Sequence, residues 1–192
     1  MSDALSTKAN ILIDENCHAR LADFGLLTII SDPTIFTASS SVVTCGTTRW
    51  MSPELLHPDQ FGLKDSRPTK ESDCYALGMV TYEVLSGKSP FATSANFVVM
   101  RKIIDGERPE RPEGVQGLWF TDDLWEILNR CWEALSKSRP SIGAVFECLE
   151  QVSKGWEPPP EQVDEDLEDE DDWDLTGVLL PVWFIVSVPF TL

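Results

Sequence analysis

Asp23-Phe24-Gly25 follows an apolar stretch, and Cys45-Gly46-Thr47-Thr48-Arg49-Trp50-Met51-Ser52-Pro53-Glu54 lies further along the same chain. Between them, residues 26–44 are largely polar, rich in Ser and Thr, and carry Pro33. Composition of that kind predicts a long loop. In a compact domain, loops of this length are more often functional than decorative. The stretch therefore reads as a loop bracketed by an acidic residue at one end and a Pro-Glu corner at the other.

Ahead of it, Ile11-Leu12-Ile13, Asp14-Glu15-Asn16 and Ala19-Arg20-Leu21-Ala22 read as strand, tight turn and strand. Asp and Asn supply the turn chemistry between two apolar runs. Downstream the periodicity becomes helical. Ser72 or Asp73 is positioned to cap a helix through Cys74, Leu77, Val80, Val84 and Leu85, with Gly87 as its stop. Its apolar residues cover most of the circumference, which predicts a buried central helix. Residues Ser94–Asp105 read as a second helix ended by Gly106, and the prolines of Glu107–Pro112 predict an extended linker. Leu124, Ile127, Leu128, Cys131 and Trp132 mark an amphipathic helix, and Ile142, Val145, Phe146, Leu149 and Val152 mark another after Pro140-Ser141. Pro158-Pro159-Pro160 closes this part. The fold class is mainly α with one short β-hairpin, and no internal repeat is present.

The 192 residues support one domain with a real core plus a tail. Net charge is −17, but residues 157–174 hold eleven carboxylates and no Lys or Arg, leaving −6 for the rest. Like charges in a block repel and bury nothing, so this run reads as an acidic disordered tail. With no basic patch, nucleic-acid binding is not expected. The five cysteines (17, 45, 74, 131 and 148) are scattered and form no Cys-x-x-Cys pair. That argues against a disulfide framework or a zinc site and points to a reducing, cytoplasmic setting. Met1–Asn10 has no apolar core and is not a signal peptide. Residues 175–192 are uncharged and apolar but are interrupted by Pro181 and Pro189. They read as a buried strand-like segment or a stray terminal-exon product, with a membrane tail anchor as the second reading.

Taken in order, the hairpin, Asp23-Phe24-Gly25, the Pro53-Glu54 corner and the later helices resemble the C-terminal lobe of the protein kinase fold. The likeness runs from about Ala9 to Val152, and Cys131-Trp132 through Arg139-Pro140-Ser141 is similar to the tyrosine-kinase-like group of serine/threonine kinases. It implies a division into an atypical N-terminus (1–8), a kinase C-lobe (9–156), the acidic tail (157–174) and the apolar end (175–192). It implies ATP and Mg2+ as cofactors, with Asp23 and Asn10 as metal ligands and Leu12 on the adenine floor. Turn or capping roles are the alternative for Asn10 and Asp23. It implies an activation segment and docking loop through Thr47, Arg49, Trp50 and Glu54. Glu54 and Arg139 would form a buried ion pair, and Asp73 would receive catalytic-loop amides or simply cap its helix. Thr47 leans the substrate toward Ser/Thr. Thr37, Ser39, Ser40, Ser41 and Thr44 are candidate phosphorylation sites or plain polar loop. His18 and His57 read as exposed loop residues.

The chain also departs from the pattern. Counting back five residues from Asn10, Leu5 occupies the position of the catalytic Asp and Thr7 that of the usual Lys. Leucine cannot accept a substrate proton. The glycine-rich phosphate loop, the strand Lys and the adenine hinge would lie upstream of Met1, so a C-terminal lobe without its N-terminal lobe is expected. The function implied is that of a protein kinase domain, whose family reaction is ATP-dependent phosphoryl transfer to protein Ser/Thr, with protein substrates or partner kinases as partners and no catalysis by this chain alone. A pseudokinase-like scaffold or a truncated gene product is the alternative.

Overall fold

The computed structural model describes residues 11–13, 19–21, 48–117 and 119–155. Strands β1 (Ile11–Ile13) and β2 (Ala19–Leu21) pair antiparallel, with Ile11 opposite Leu21, Leu12 opposite Arg20 and Ile13 opposite Ala19. After them come a 3-10 turn at Thr48–Trp50, the short helix α1 (Pro53–Leu56) and a second 3-10 turn at Pro58–Phe61. The remaining helices are α2 (Lys70–Ser86), α3 (Asn96–Ile104), α4 (Gly114–Gly117), α5 (Asp122–Cys131) and α6 (Ile142–Gly155). The described residues are thus mostly helical. Among the described residues no helix is long and apolar enough to cross a membrane.

Helix α2 is the axis of the body, and its start corrects the sequence expectation. The cap is Thr69, not Ser72 or Asp73. Thr69 Oγ1 accepts from the Ser72 backbone N–H at 3.2 Å, while Ser72 Oγ accepts from the Thr69 N–H at 2.8 Å. This reciprocal box satisfies two amides that a helix N-terminus leaves without partners. The helix starts earlier than the apolar pattern suggests, because its first turn, Lys70 to Asp73, is polar and is set by the Thr69 cap rather than by apolar periodicity. It stops where Gly87 takes φ 70° and its N–H reaches Glu83 O at 2.9 Å.

The core forms around α2. Tyr75, Met79, Val99, Ile103, Phe120, Leu128 and Val145 are fully buried. Each of the wholly apolar side chains among them contributes about 1.5–3 kcal/mol by leaving water. Tyr82, Phe120, Trp125 and Trp132 form an aromatic group with centroids 5.7–6.1 Å apart, three of its pairs edge-to-face and Tyr82–Phe120 tilted, joining α2 to α5. Gly78 permits this approach, because a Cβ there would lie 2.7 Å from Trp132 Nε1. The linker at Glu107–Pro112 is extended, as its prolines require, yet it is tied down. Arg108 Nε donates to Trp132 O at 2.7 Å, and Arg111 donates to Phe120 O and, at 2.7 Å, to Asp122.

Candidate functional site

The best-built polar site in the described body is the corner after Thr48. Pro53 opens α1, with its ring at a position that needs no N–H donor. Glu54 follows and points inward. Arg139, just past the 3-10 turn Ser136–Ser138, meets it in a fork: Nη1 to Oε1 at 2.6 Å and Nη2 to Oε2 at 2.7 Å. The two side chains are 0% and 6% exposed. Arg139 also donates to Glu71 O at 3.0 Å and to Glu133 O at 2.8 Å, and its guanidinium stacks 5.1 Å above the Tyr75 ring. Burial alone would push the Glu54 carboxyl up. The bonds from Arg139, a backbone amide and the Arg139 charge outweigh it and hold that carboxyl below the ordinary glutamate range.

Arg49 and Trp50 fasten the preceding turn from the other side. Arg49 donates to three carbonyls, Pro90 O at 2.7 Å, Phe91 O at 2.6 Å and Ser94 O at 2.6 Å. Phe91 has φ 55°, the left-handed region that a bulky residue enters only when its surroundings hold it there. Partial burial lowers the Arg49 pKa, with Glu83 opposing. Trp50 Nε1 donates to Glu83 Oε2 at 3.0 Å inside the core. The Thr48–Trp50 turn, the 90–94 turn and α2 are therefore one polar assembly. Arg49→Ala is expected to free the 90–94 turn and lower stability by about 1–3 kcal/mol, since its carbonyls lose charged donors. Hydrogen exchange at residues 92–95 should accelerate more than exchange in α5.

The other residues singled out by sequence are not gathered here. Leu12 sits on β1 opposite Arg20. Asp73 is an exposed residue in the first turn of α2, and partial burial of its carboxyl together with nearby Glu71 raises its pKa. His57 is exposed at the end of α1. Leu5, Thr7, Asn10, His18, Asp23, Thr37, Ser39, Ser40, Ser41, Thr44 and Thr47 lie outside the described residues, as do 157–174 and 175–192. Among the described residues no group of three His, Cys, Asp or Glu could hold a metal ion.

Two contributors were not singled out as site residues. Glu83 was readable as a carboxylate inside an otherwise apolar helix, a position that demands a partner. Arg108, whose guanidinium lies 5.5 Å from the Tyr75 ring, carried no sequence signal beyond its proline neighbours. The arrangement holds rather than reacts. Its charges face other protein groups and fix the turn at Thr48–Trp50 and the start of α1 in place.

Comparison with known proteins agrees with that architecture. Residues 5–149 match the family described as protein tyrosine and serine/threonine kinase. The chain is 30% identical over 147 residues to the serine/threonine-protein kinase STY46 of Arabidopsis thaliana, covering 76% of this chain and 23% of that protein. It is 30% identical over 144 residues to receptor-interacting serine/threonine-protein kinase 3 of Rattus norvegicus, covering 70% and 28%. It is also 30% identical over 148 residues to the serine/threonine-protein kinase mos of Patiria pectinifera, covering 74% and 38%. Across these three and five further curated relatives, the chain spans between 7% and 38% of their length. With the family matched over most of the helical body and serine/threonine kinases as its relatives, the chain belongs to the protein kinase family.

Proposed function

We propose that residues 9–156 act as the C-terminal lobe of a serine/threonine kinase fold, presenting a docking turn to protein substrates or partner kinases, and that this chain alone transfers no phosphate. The family reaction is phosphoryl transfer from ATP, in which magnesium neutralises phosphate charge. Asp23 would hold one such ion and Asn10 a second, Leu12 would lie under the adenine, and a cytoplasmic setting suits the scattered cysteines. The observation that carries the reading is the double anchorage of Thr48–Glu54, by Arg139 below and by Arg49 and Trp50 at the side. A turn held so firmly is preorganised for binding, which lowers the entropy cost of a partner. Leu5, aligned by resemblance with the proton-accepting Asp, supports the absence of catalysis. It also favours the second reading, a non-catalytic scaffold.

The test is phosphate transfer from labelled ATP with Mg2+ to a generic Ser/Thr protein substrate, alongside a thermal shift with Mg2+-ATP. Neither transfer nor shift is expected. Transfer that disappears in Asp23→Ala would show an active enzyme and end this reading.

A further inference from the structure

Helix α3 (Asn96–Ile104) buries one face only. Val99 and Ile103 are fully buried, whereas Phe97 is 73% exposed. Met100 and Ile104, three and seven residues after Phe97, fall on its side of the helix and are partly exposed. None of these three belongs to the packed core of the described residues. Leu63 and Leu135 are exposed too, but each stands singly between helices, and a lone exposed hydrophobe needs no cover. The α3 stripe is also edged by cations. Residues 88–102 carry Lys88, Arg101 and Lys102 and no carboxylate, in a chain whose net charge is −17. Arg101 pairs with Asp105 and Lys102 with Glu107, both at the surface, where ion pairs exchange partners at little cost.

The same chain carries a segment of matching two-part character. Residues 157–174 hold eleven carboxylates and no Lys or Arg. Directly after them, residues 175–192 are uncharged and include Val178-Leu179-Leu180 and Val182-Trp183-Phe184-Ile185-Val186. An apolar run of that size seeks cover in water. The acidic run 157–174 can reach up to about 60 Å when extended. A body of this size has a radius of gyration of about 13 Å, so its whole surface is within range. Such a tether sets an effective concentration on the order of millimolar for the apolar run. We propose that residues 175–192 fold back onto α3 of their own chain. Trp183 and Phe184 cover Phe97 and Met100, and the acidic run faces Lys88, Arg101 and Lys102. Each aromatic ring buries about 150–250 Å² in such a contact. Arg49 ties the Thr48–Trp50 turn to Ser94 O, two residues before α3 begins. The covered face therefore adjoins the turn proposed above to receive partners, and the segment would compete with them there. That consequence rests on the docking reading; the fold-back itself does not.

The test replaces Phe97 with the photo-cross-linker p-benzoylphenylalanine in the full chain, an exposed site that takes the larger ring without disturbing the core, and far-UV circular dichroism checks the fold. Dilute protein is irradiated without nucleotide or partner and mapped by proteolysis and mass spectrometry. The expected product joins position 97 to residues 175–192 within a chain of monomer mass. Trp183→Ser combined with Phe184→Ser should cut that yield about tenfold, as removal of aromatic anchors does. Salt at about 1 M should lower it as well, by screening the acidic run. A product of twice the monomer mass would show a second copy on the stripe. No cross-link, or one to residues elsewhere in the chain, would show α3 uncovered by this segment. Each of these results overturns the proposal, as does an undiminished yield in the double variant. Since no partner or nucleotide is present, failure of the docking reading leaves this result intact, and failure of the fold-back leaves the docking turn to its own test.

Discussion

Arg139→Ala should lower the stability of the folded body by about 3–5 kcal/mol, among the largest effects of any single polar substitution in it. Glu54 would be left as a carboxylate at 5% exposure with its forked partner gone. The carbonyls of Glu71 and Glu133 would lose their donors as well, and Tyr75 would lose one of the two guanidiniums that flank its ring. Glu54→Gln should cost less than Arg139→Ala, since an amide keeps one acceptor for Arg139 without stranding a negative charge. Urea denaturation of the three proteins at neutral pH checks the order, and equal midpoints for wild type and Arg139→Ala would refute it.

The same pair sets an acid limit. In the fold the Glu54 pKa lies below its unfolded value. Its contribution is therefore fully present above the unfolded pKa, about 4.3, and is lost as pH falls through the folded pKa. Arg139→Ala should show a shallower loss of stability over that acid window than wild type, because the favourable bonds that depress the Glu54 pKa are already absent.

How far the sequence foretold this body depends on what kind of signal each part carries. Helices α5 and α6 announce themselves because Leu124, Ile127, Leu128 and Cys131, and then Ile142, Val145 and Leu149, repeat at helical spacing and face one core. The all-round apolar character of α2 foretold its central place. Its start was missed because Thr69 and Ser72 are separated from the apolar run by a polar turn, and Ser72 looks like a cap when it is the cap's partner. The Glu54–Arg139 contact spans 85 residues, so no local pattern could reveal it, and only the likeness to a family suggested it. Arg49 and Glu83 illustrate the remaining gap. Their chemistry was visible as a lone cation and a lone carboxylate, but their partners are three turn carbonyls and an indole N–H, which only the folded chain brings within reach.

Gly78 and Gly143 should answer the same substitution with opposite signs. Both lie inside helices, where replacing Gly by Ala ordinarily stabilises by about 0.5–1 kcal/mol by restricting the unfolded chain. At exposed Gly143 the nearest foreign atom to an added Cβ is Ser141 Oγ at 3.9 Å, an ordinary contact, so Gly143→Ala should raise the urea midpoint by that amount. At Gly78 the added Cβ would stand 2.7 Å from Trp132 Nε1, 2.9 Å from Cys131 Cβ and 3.2 Å from Trp132 Cδ1. None of these is the loose end of a flexible side chain. The indole is rigid, 1% exposed and wedged among Tyr82 and Trp125, and the Cys131 Cβ moves only with α5 itself. Forced separation of α2 and α5 by even a methyl group costs about 1–3 kcal/mol in overpacking, which exceeds the propensity gain. Gly78→Ala should therefore lower the midpoint, and Gly78→Val should lower it further, because a branched Cβ meets the same wall with two more atoms. A rise at both positions would show that helix propensity governs and that the α2–α5 seam is not close-packed. The opposed shifts would instead establish that a single hydrogen at position 78 sets how closely the two central helices meet.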